Sequence, residues 1–514
     1  MLDDVLVPAL YSLNGYQVAP DTTQIVYWYL SDERHTALNV MRLDTGDMKR
    51  HSTELDGVLA TPLTWLPDAS GFIYTVRSSD HTQTLFLARS GAEDPVKLFE
   101  TPPDVEELRH AVSADGAAVT VDFSTRNPTG NQASLYLIDL GKPGDAVLVD
   151  SELTDPYHAM RFEVAWSPYA NELVYHATPD GSLPPPTGTP AVTPDIRPFM
   201  LYRADGSRQA LGDPSDYAPA SWLSADRFLV DLDTSFQILD TGGRPPVSHR
   251  KRSWSQPVPS PDRRKVAFLD DTAAGDAQVH VMDCYSGVVA VVGQGSSFFN
   301  GLFVPTFDSE LRWSPDGSWL AWNRSLDGRF LPESGNNELY AYEVGSSTTR
   351  LITAELASTA PRYPLVQVTW LPEGNVLNYL VHSATGYEIT LTDLAAGTTL
   401  VIADMAELNC WLLRAWPTNG EVLWNHCGDG VYLSTIDNGG SVESTRLLAG
   451  DIGSLVLTDD RETAVMQRFS FGNVEPPGAA NRNWRLYDIS GQRLHELAET
   501  SAIPCCGSLV QQSP

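Results

Sequence analysis

The chain has 514 residues, 42% of them hydrophobic and 19% charged, with a formal net charge of −31 and a pI near 4.5. Charge of that sign repels nucleic-acid backbones and anionic membrane surfaces, so nucleic acid is excluded as a partner and a protein or neutral small molecule remains. No stretch of about eighteen apolar residues occurs, so no membrane insertion by a helix is expected.

The start, Met1-Leu2-Asp3-Asp4, lacks the basic and apolar regions of a signal peptide, and Asp4-Val5-Leu6-Val7 reads as the last strand of a preceding unit. One phrase then recurs: an apolar strand ending in Trp-x-Pro-Asp-Gly, with a second strand about five residues on. Its copies are Val18-Ala19-Pro20-Asp21, Trp65-Leu66-Pro67-Asp68, Val112-Ser113-Ala114-Asp115-Gly116, Trp166-Ser167-Pro168 and Trp222-Leu223-Ser224-Ala225-Asp226. They continue with Pro259-Ser260-Pro261-Asp262, Trp313-Ser314-Pro315-Asp316-Gly317, Trp370-Leu371-Pro372-Glu373-Gly374, Trp416-Pro417-Thr418-Asn419-Gly420 and Leu457-Thr458-Asp459-Asp460. Taking the Pro position as the marker, units fall near 20, 67, 114, 168, 225, 261, 315, 372, 418 and 459, a mean spacing of about 49 residues and a propeller-blade length. The whole of 1–514 is therefore read as about ten repeats.

Each copy continues alike. A second strand follows (Phe72 to Val76, Val266 to Leu269), then a third of alternating character (Leu85-Phe86-Leu87, Val279-His280-Val281-Met282), a polar turn such as Asp240-Thr241-Gly242, and a fourth. Four short strands per unit with hairpin turns and no helical period predict an all-β fold, a β-propeller of four-stranded antiparallel blades, as one large ring or as two smaller propellers. The marker chemistry fits. Pro presets φ for a tight turn, Asp bonds the backbone beyond it, and Gly accepts positive φ. The repeated Trp65, Trp166, Trp222, Trp313, Trp370 and Trp416 close the first strand, and burying 150 to 250 Å² each is worth roughly 4 to 6 kcal/mol gross.

Three further features punctuate the chain. A Pro/Thr-rich excursion, 179–198, reads as a solvated loop between the second and third strands of the fourth unit. Cys410 and Cys427 stand at equal distances from the turn at Thr418-Asn419, so a hairpin there puts them opposite each other. A bridge between them would contribute roughly 3 kcal/mol and would place the protein outside a reducing cytosol, periplasmic or secreted; two buried thiols is the other reading. Finally, Ser508-Leu509-Val510 reads as the first strand of another unit, so either the two ends pair or the chain is a piece of a longer protein.

The Trp313-Ser314-Pro315-Asp316-Gly317 phrase together with the Leu-Tyr-x-x-Asp-x-Gly turn resembles the TolB-like, WD-repeat-like propeller repeats, and is similar to the propeller of dipeptidyl-peptidase and prolyl-oligopeptidase-type enzymes. The resemblance covers nearly the whole chain and implies a fold, not an activity. The markers outnumber the usual blades of such repeats, and several copies lack both Trp and Pro.

No Gly-x-Ser-x-Gly elbow, zincin helix, phosphate loop or Gly-x-Gly-x-x-Gly is found, and the marker differs from the sialidase Asp-box in having Gly directly after Asp. No catalytic residue, cofactor or metal ligand is therefore assigned. His110, His158, His176, His382 and His426 occupy comparable strand or loop positions and are read as structural, with a metal-binding cluster as the rival. The pairs Asp231 with Asp233 and Asp270 with Asp271 could ligate calcium but are read as turn residues. The expected function is a non-catalytic binding or protein-interaction scaffold. The alternatives are a propeller enzyme of lyase, lactonase or glycosidase type, or the substrate-gating half of a peptidase.

Overall fold

The computed structural model describes residues 13–498 apart from 180–197, 212–219, 296–310, 326–336, 357–367, 406–413, 472–479 and shorter turn stretches. Among the described residues every regular element is a β-strand. Ten antiparallel sheets follow one another along the chain, at 13–56, 58–100, 105–154, 160–211, 220–250, 258–294, 312–353, 369–405, 414–449 and 452–498. In each, strands pair in chain order, so every reversal is a hairpin; sheet two adds a short strand, Val58–Leu59, which pairs with Gly71–Arg77 beside Thr64–Trp65.

The marker sets the register of the first hairpin. In eight sheets the residue at the Trp position pairs with the one seven further on: Val18 with Ile25, Trp65 with Phe72, Val112 with Val119, Trp166 with Leu173, Pro259 with Val266, Trp313 with Leu320, Trp370 with Leu377, and Leu457 with Ala464. Inside the turn, the amide of Ser318 donates to Asp316 Oδ1 at 3.0 Å, and that of Ser70 to Asp68 Oδ1 at 3.0 Å. Gly116 and Gly317 hold φ near 68° and 71° at the closing position. Thr22, Ala69 and Arg263 hold 56–58° there without glycine's freedom. Sheets five and nine close more tightly, with Ser224 opposite Arg227 and Thr418 opposite Glu421.

The tryptophans do more than fill space. At five marker positions the indole N–H donates to a backbone carbonyl one sheet earlier: Trp65 to Gln17 at 3.3 Å, Trp166 to Ala111 at 3.1 Å, Trp222 to Ala165 at 3.1 Å, Trp313 to Val258 at 2.9 Å and Trp370 to Arg312 at 2.9 Å. The acceptor is always the residue just before the Trp position of the preceding copy. Trp416 lies on the first strand of sheet nine, Arg414–Thr418.

Sheet three has Val112 in place of Trp. There His110 Nε2 sits 3.0 Å from Thr64 Oγ1, so a histidine reaches, through a hydroxyl rather than a backbone carbonyl, the same residue position in sheet two, the one before Trp65. Buried apolar residues form clusters shared by consecutive sheets, such as Ile73 and Leu85 with Val119 and Val121, or Ala267 and Val279 with Trp313 and Trp322. Repeated meander sheets, with sheets two to five, seven and eight tied through the first strand to the sheet before, make the protein a β-propeller. The chain divides into two compact units, 1–232 with 237–247, and 233–236 with 248–514. All the ties named above run within one or the other.

Candidate functional site

The histidines singled out in the sequence are spread over different sheets. His110 bonds Thr64, and burial pushes it down to about 4, so it is neutral at pH 7. His176 is buried and stacks on Phe199 with ring centroids 4.5 Å apart, and His382 meets the edge of Tyr387 at 5.2 Å. His426 packs against Trp424 and Tyr432. His158 lies outside the described residues. No group of three or more His, Cys, Asp or Glu side chains able to hold a metal occurs among the described residues.

One of the two acidic pairs meets cations. Asp270 and Asp271 end the second strand of sheet six, Lys265–Asp271, rather than lying in a turn. Arg250 Nε is 3.9 Å from Asp270, and Arg252 Nε is 3.2 Å from Asp271, in place of a ring of oxygens around a calcium ion. Asp231 ends the second strand of sheet five, and Asp233 is outside the described residues. So are Cys410, Cys427 and the Pro-rich 180–197. The described part of the sheet nine hairpin sets Arg414 opposite Trp424 and Ala415 opposite Leu423, with an irregularity before Thr418. Cys284 is buried.

One internal ion pair joins neighbouring strands of sheet three. Arg109 bonds the buried Asp122 directly across the ladder. Burial raises the Asp122 carboxyl above its ordinary range; Arg109 opposes that shift, and the nearby charge of Glu163 in sheet four adds to it. Leaving Asp122 without Arg109 would strand a buried charge, so the pair is read as structural.

Two further surface features are a cationic segment that runs from the end of sheet five into sheet six, and the outer strands. The segment 244–265 carries seven cations, Arg244, Arg250, Lys251, Arg252, Arg263, Arg264 and Lys265, against the single acid Asp262, in a chain of net −31. Lys251 and Arg252 are buried, whereas Arg264 is exposed. A sliding charge count would have found this segment. Among the described residues, nine of the twelve exposed large apolar side chains sit on the fourth strand of a sheet, including Val96, Leu153, Val291, Leu351 and Val401. That is the outer edge, where a flat apolar strand is a pairing hazard unless charge guards it.

No protein-family model matches the sequence, and no curated protein does. Several solved structures are similar to it at low identity. A eukaryotic initiation factor covers 92% of this chain with 98% of its own at 12% identity and a TM-score of 0.47. The tricorn protease covers 96% of this chain at 12% identity with a TM-score of 0.34, and an oligogalacturonate lyase in complex with manganese covers 74% at 11% identity with a TM-score of 0.36, over 89% of its own length. The chain spans about half the length of the tricorn protease, 55%, and of a prolyl endopeptidase, 47%. The fold assignment stands on the strand register and the ties between sheets described above.

Proposed function

We propose that this chain is a non-catalytic binding propeller of the TolB-like, WD-repeat-like kind, holding a protein partner on its outer strands. The observation that carries this reading is the placement of exposed large apolar side chains on the fourth strands, where a soluble sheet edge is ordinarily polar. It is supported by the use of titratable groups for structure: His110 as a tie, Asp122 with Arg109, and Asp270 and Asp271 with Arg250 and Arg252. A location outside the cytoplasm is part of the proposal and rests on the bridge expected from sequence between Cys410 and Cys427, which peptide mapping under non-reducing conditions checks.

The test is chemical cross-linking of the full chain in its native extract, with the linked residues mapped by mass spectrometry. Cross-links concentrated on fourth strands are expected. Turnover of polyuronate, lactone, glycoside or peptide substrates by the purified chain, lost on substituting inner-strand acids, would overturn the non-catalytic reading in favour of an enzyme.

A further inference from the structure

The ten outer strands are not alike. Nine of them carry at least one charged residue, as in Val96–Glu100 with Lys97, Thr348–Thr353 with Arg350, and Thr398–Met405 with Asp404. The fourth strand of sheet six, Val289–Gln294, reads Val-Ala-Val-Val-Gly-Gln and carries none. Charged side chains on an edge strand are the usual guard against addition of another strand, and here the guard is missing. Val289 and Val291 are exposed on one face of this strand, Val291 to 58%, and Val288 and Tyr285 are exposed just before it. Its outer backbone edge pairs with no strand among the described residues.

The strand is also held in place from behind. Val292 is buried in the cluster shared with sheet seven, and Thr349 Oγ1 donates to its carbonyl at 2.5 Å. Gly293 lies so close to Trp322 that a Cβ would fall 2.3 Å from the indole. A pinned edge loses little further freedom when another strand joins it.

Charge marks one end of the edge. The amide of Cys284 donates to the carbonyl of Arg264 at 2.8 Å, and Lys265 Nζ stands 3.9 Å from Asp283. The cationic turn Arg263-Arg264-Lys265 thus lies beside the start of the uncharged strand. Its three cations exceed the two acids beside them, Asp262 and Asp283, so with Arg264 exposed that end keeps a net positive charge within an acidic protein.

We infer that the edge Val289–Gln294 docks an extended, β-branched segment of a partner protein, added antiparallel as a fifth strand of sheet six, with acidic residues at the segment's C-terminal end. Backbone hydrogen bonds supply affinity, side chains beside Val289 and Val291 supply fit, and the acidic end meets Arg264. A second copy of this chain suits the edge less well. Paired antiparallel, it would bring its own uncharged Gln294 end to the cationic turn, and each copy carries −31. The inference rests on the binding reading and names where and what is bound.

The test uses a fluorescent peptide, Thr-Val-Thr-Val-Thr-Val-Asp-Glu-Asp, titrated against the full chain by anisotropy, beside a counterpart ending in three lysines. Saturable binding of the acidic probe is expected, at least tenfold tighter than the lysine counterpart. Val291→Lys should weaken it at least tenfold, Arg264→Glu at least threefold, and Val291→Thr, which keeps a β-branched edge, less than threefold. Amide exchange should slow at 289–293 when the probe is added. No saturable binding, equal binding by Val291→Lys, or a probe-independent dimer dissolved by Val291→Lys would each overturn the inference. If the probe fails while a native partner cross-links to other outer strands, this inference falls and the binding-propeller reading stands.

Discussion

Sheets seven and three solve the same problem with different chemistry. In sheet seven the Trp313 indole donates to Val258 and buries a large ring, and an indole does not titrate. In sheet three the corresponding side chain is Val112, and the link to sheet two is made two residues earlier by His110 on Thr64. The residue positions reached agree, a backbone carbonyl in one case and a hydroxyl in the other, so the repeat fixes where a tie lands and leaves open which side chain makes it. The lesson from sheet three is that a weak copy of the marker can still be tied, there through a histidine whose contribution depends on pH.

The comparison breaks most visibly at Trp313. Trp313→Ala should cost on the order of 3 to 5 kcal/mol of unfolding free energy through the cavity it leaves, and urea unfolding showing a loss under about 1 kcal/mol would remove this ring from the packing between sheets. The histidine tie should respond to acid instead. The folded-state pKa of His110, about 4, lies below the unfolded value of 6.5, so its contribution is fully present above pH 6.5 and is lost as pH falls from 6.5 towards 4. The size is on the order of 3 kcal/mol. His249 and His280 are also lowered by burial and act with the same sign, so the readout is the difference from His110→Gln, whose melting temperature should fall less over that window.

Smaller effects sharpen the same contrast. Trp313→Phe keeps a buried ring but removes the N–H, and should cost about 1 kcal/mol for the hydrogen bond plus the packing of the lost ring atoms. At the closing turn, Gly317→Ala, with φ near 71°, should destabilise by about 1 kcal/mol. Thr22→Gly at the equivalent position of sheet one should gain a few tenths, the smaller change because Thr22 also donates to the Asp21 carbonyl. Thermal unfolding of the paired variants reads both signs at once.

The repeated sheets were legible because the turn chemistry is local: Pro, Asp and Gly within four residues of Trp313 dictate the hairpin whatever lies elsewhere. What Trp313 bonds to was not legible, since Val258 is 55 residues away and contributes only a carbonyl. For the same reason the sequence could not show that Asp270 and Asp271 face Arg250 and Arg252 across an irregular segment, and it left calcium open. The role of His110 was hidden because it replaces a Trp from a different register position. The bare edge at Val289–Gln294 could have been read directly, but only by comparing fourth strands with one another, since no residue in it is unusual alone.

The placement of the indole acceptors has a mechanical consequence. Arg312, which receives Trp370, is the neighbour of Trp313, which itself reaches back to Val258; Ala165, which receives Trp222, is the neighbour of Trp166, which reaches back to Ala111. Donor and acceptor are thus adjacent rungs on one first strand, and sheets three to five, and six to eight, are linked hand to hand. Pulling a sheet out of line loosens the grip of the next, so damage at one link should spread along the series and stop where a sheet is held by other means.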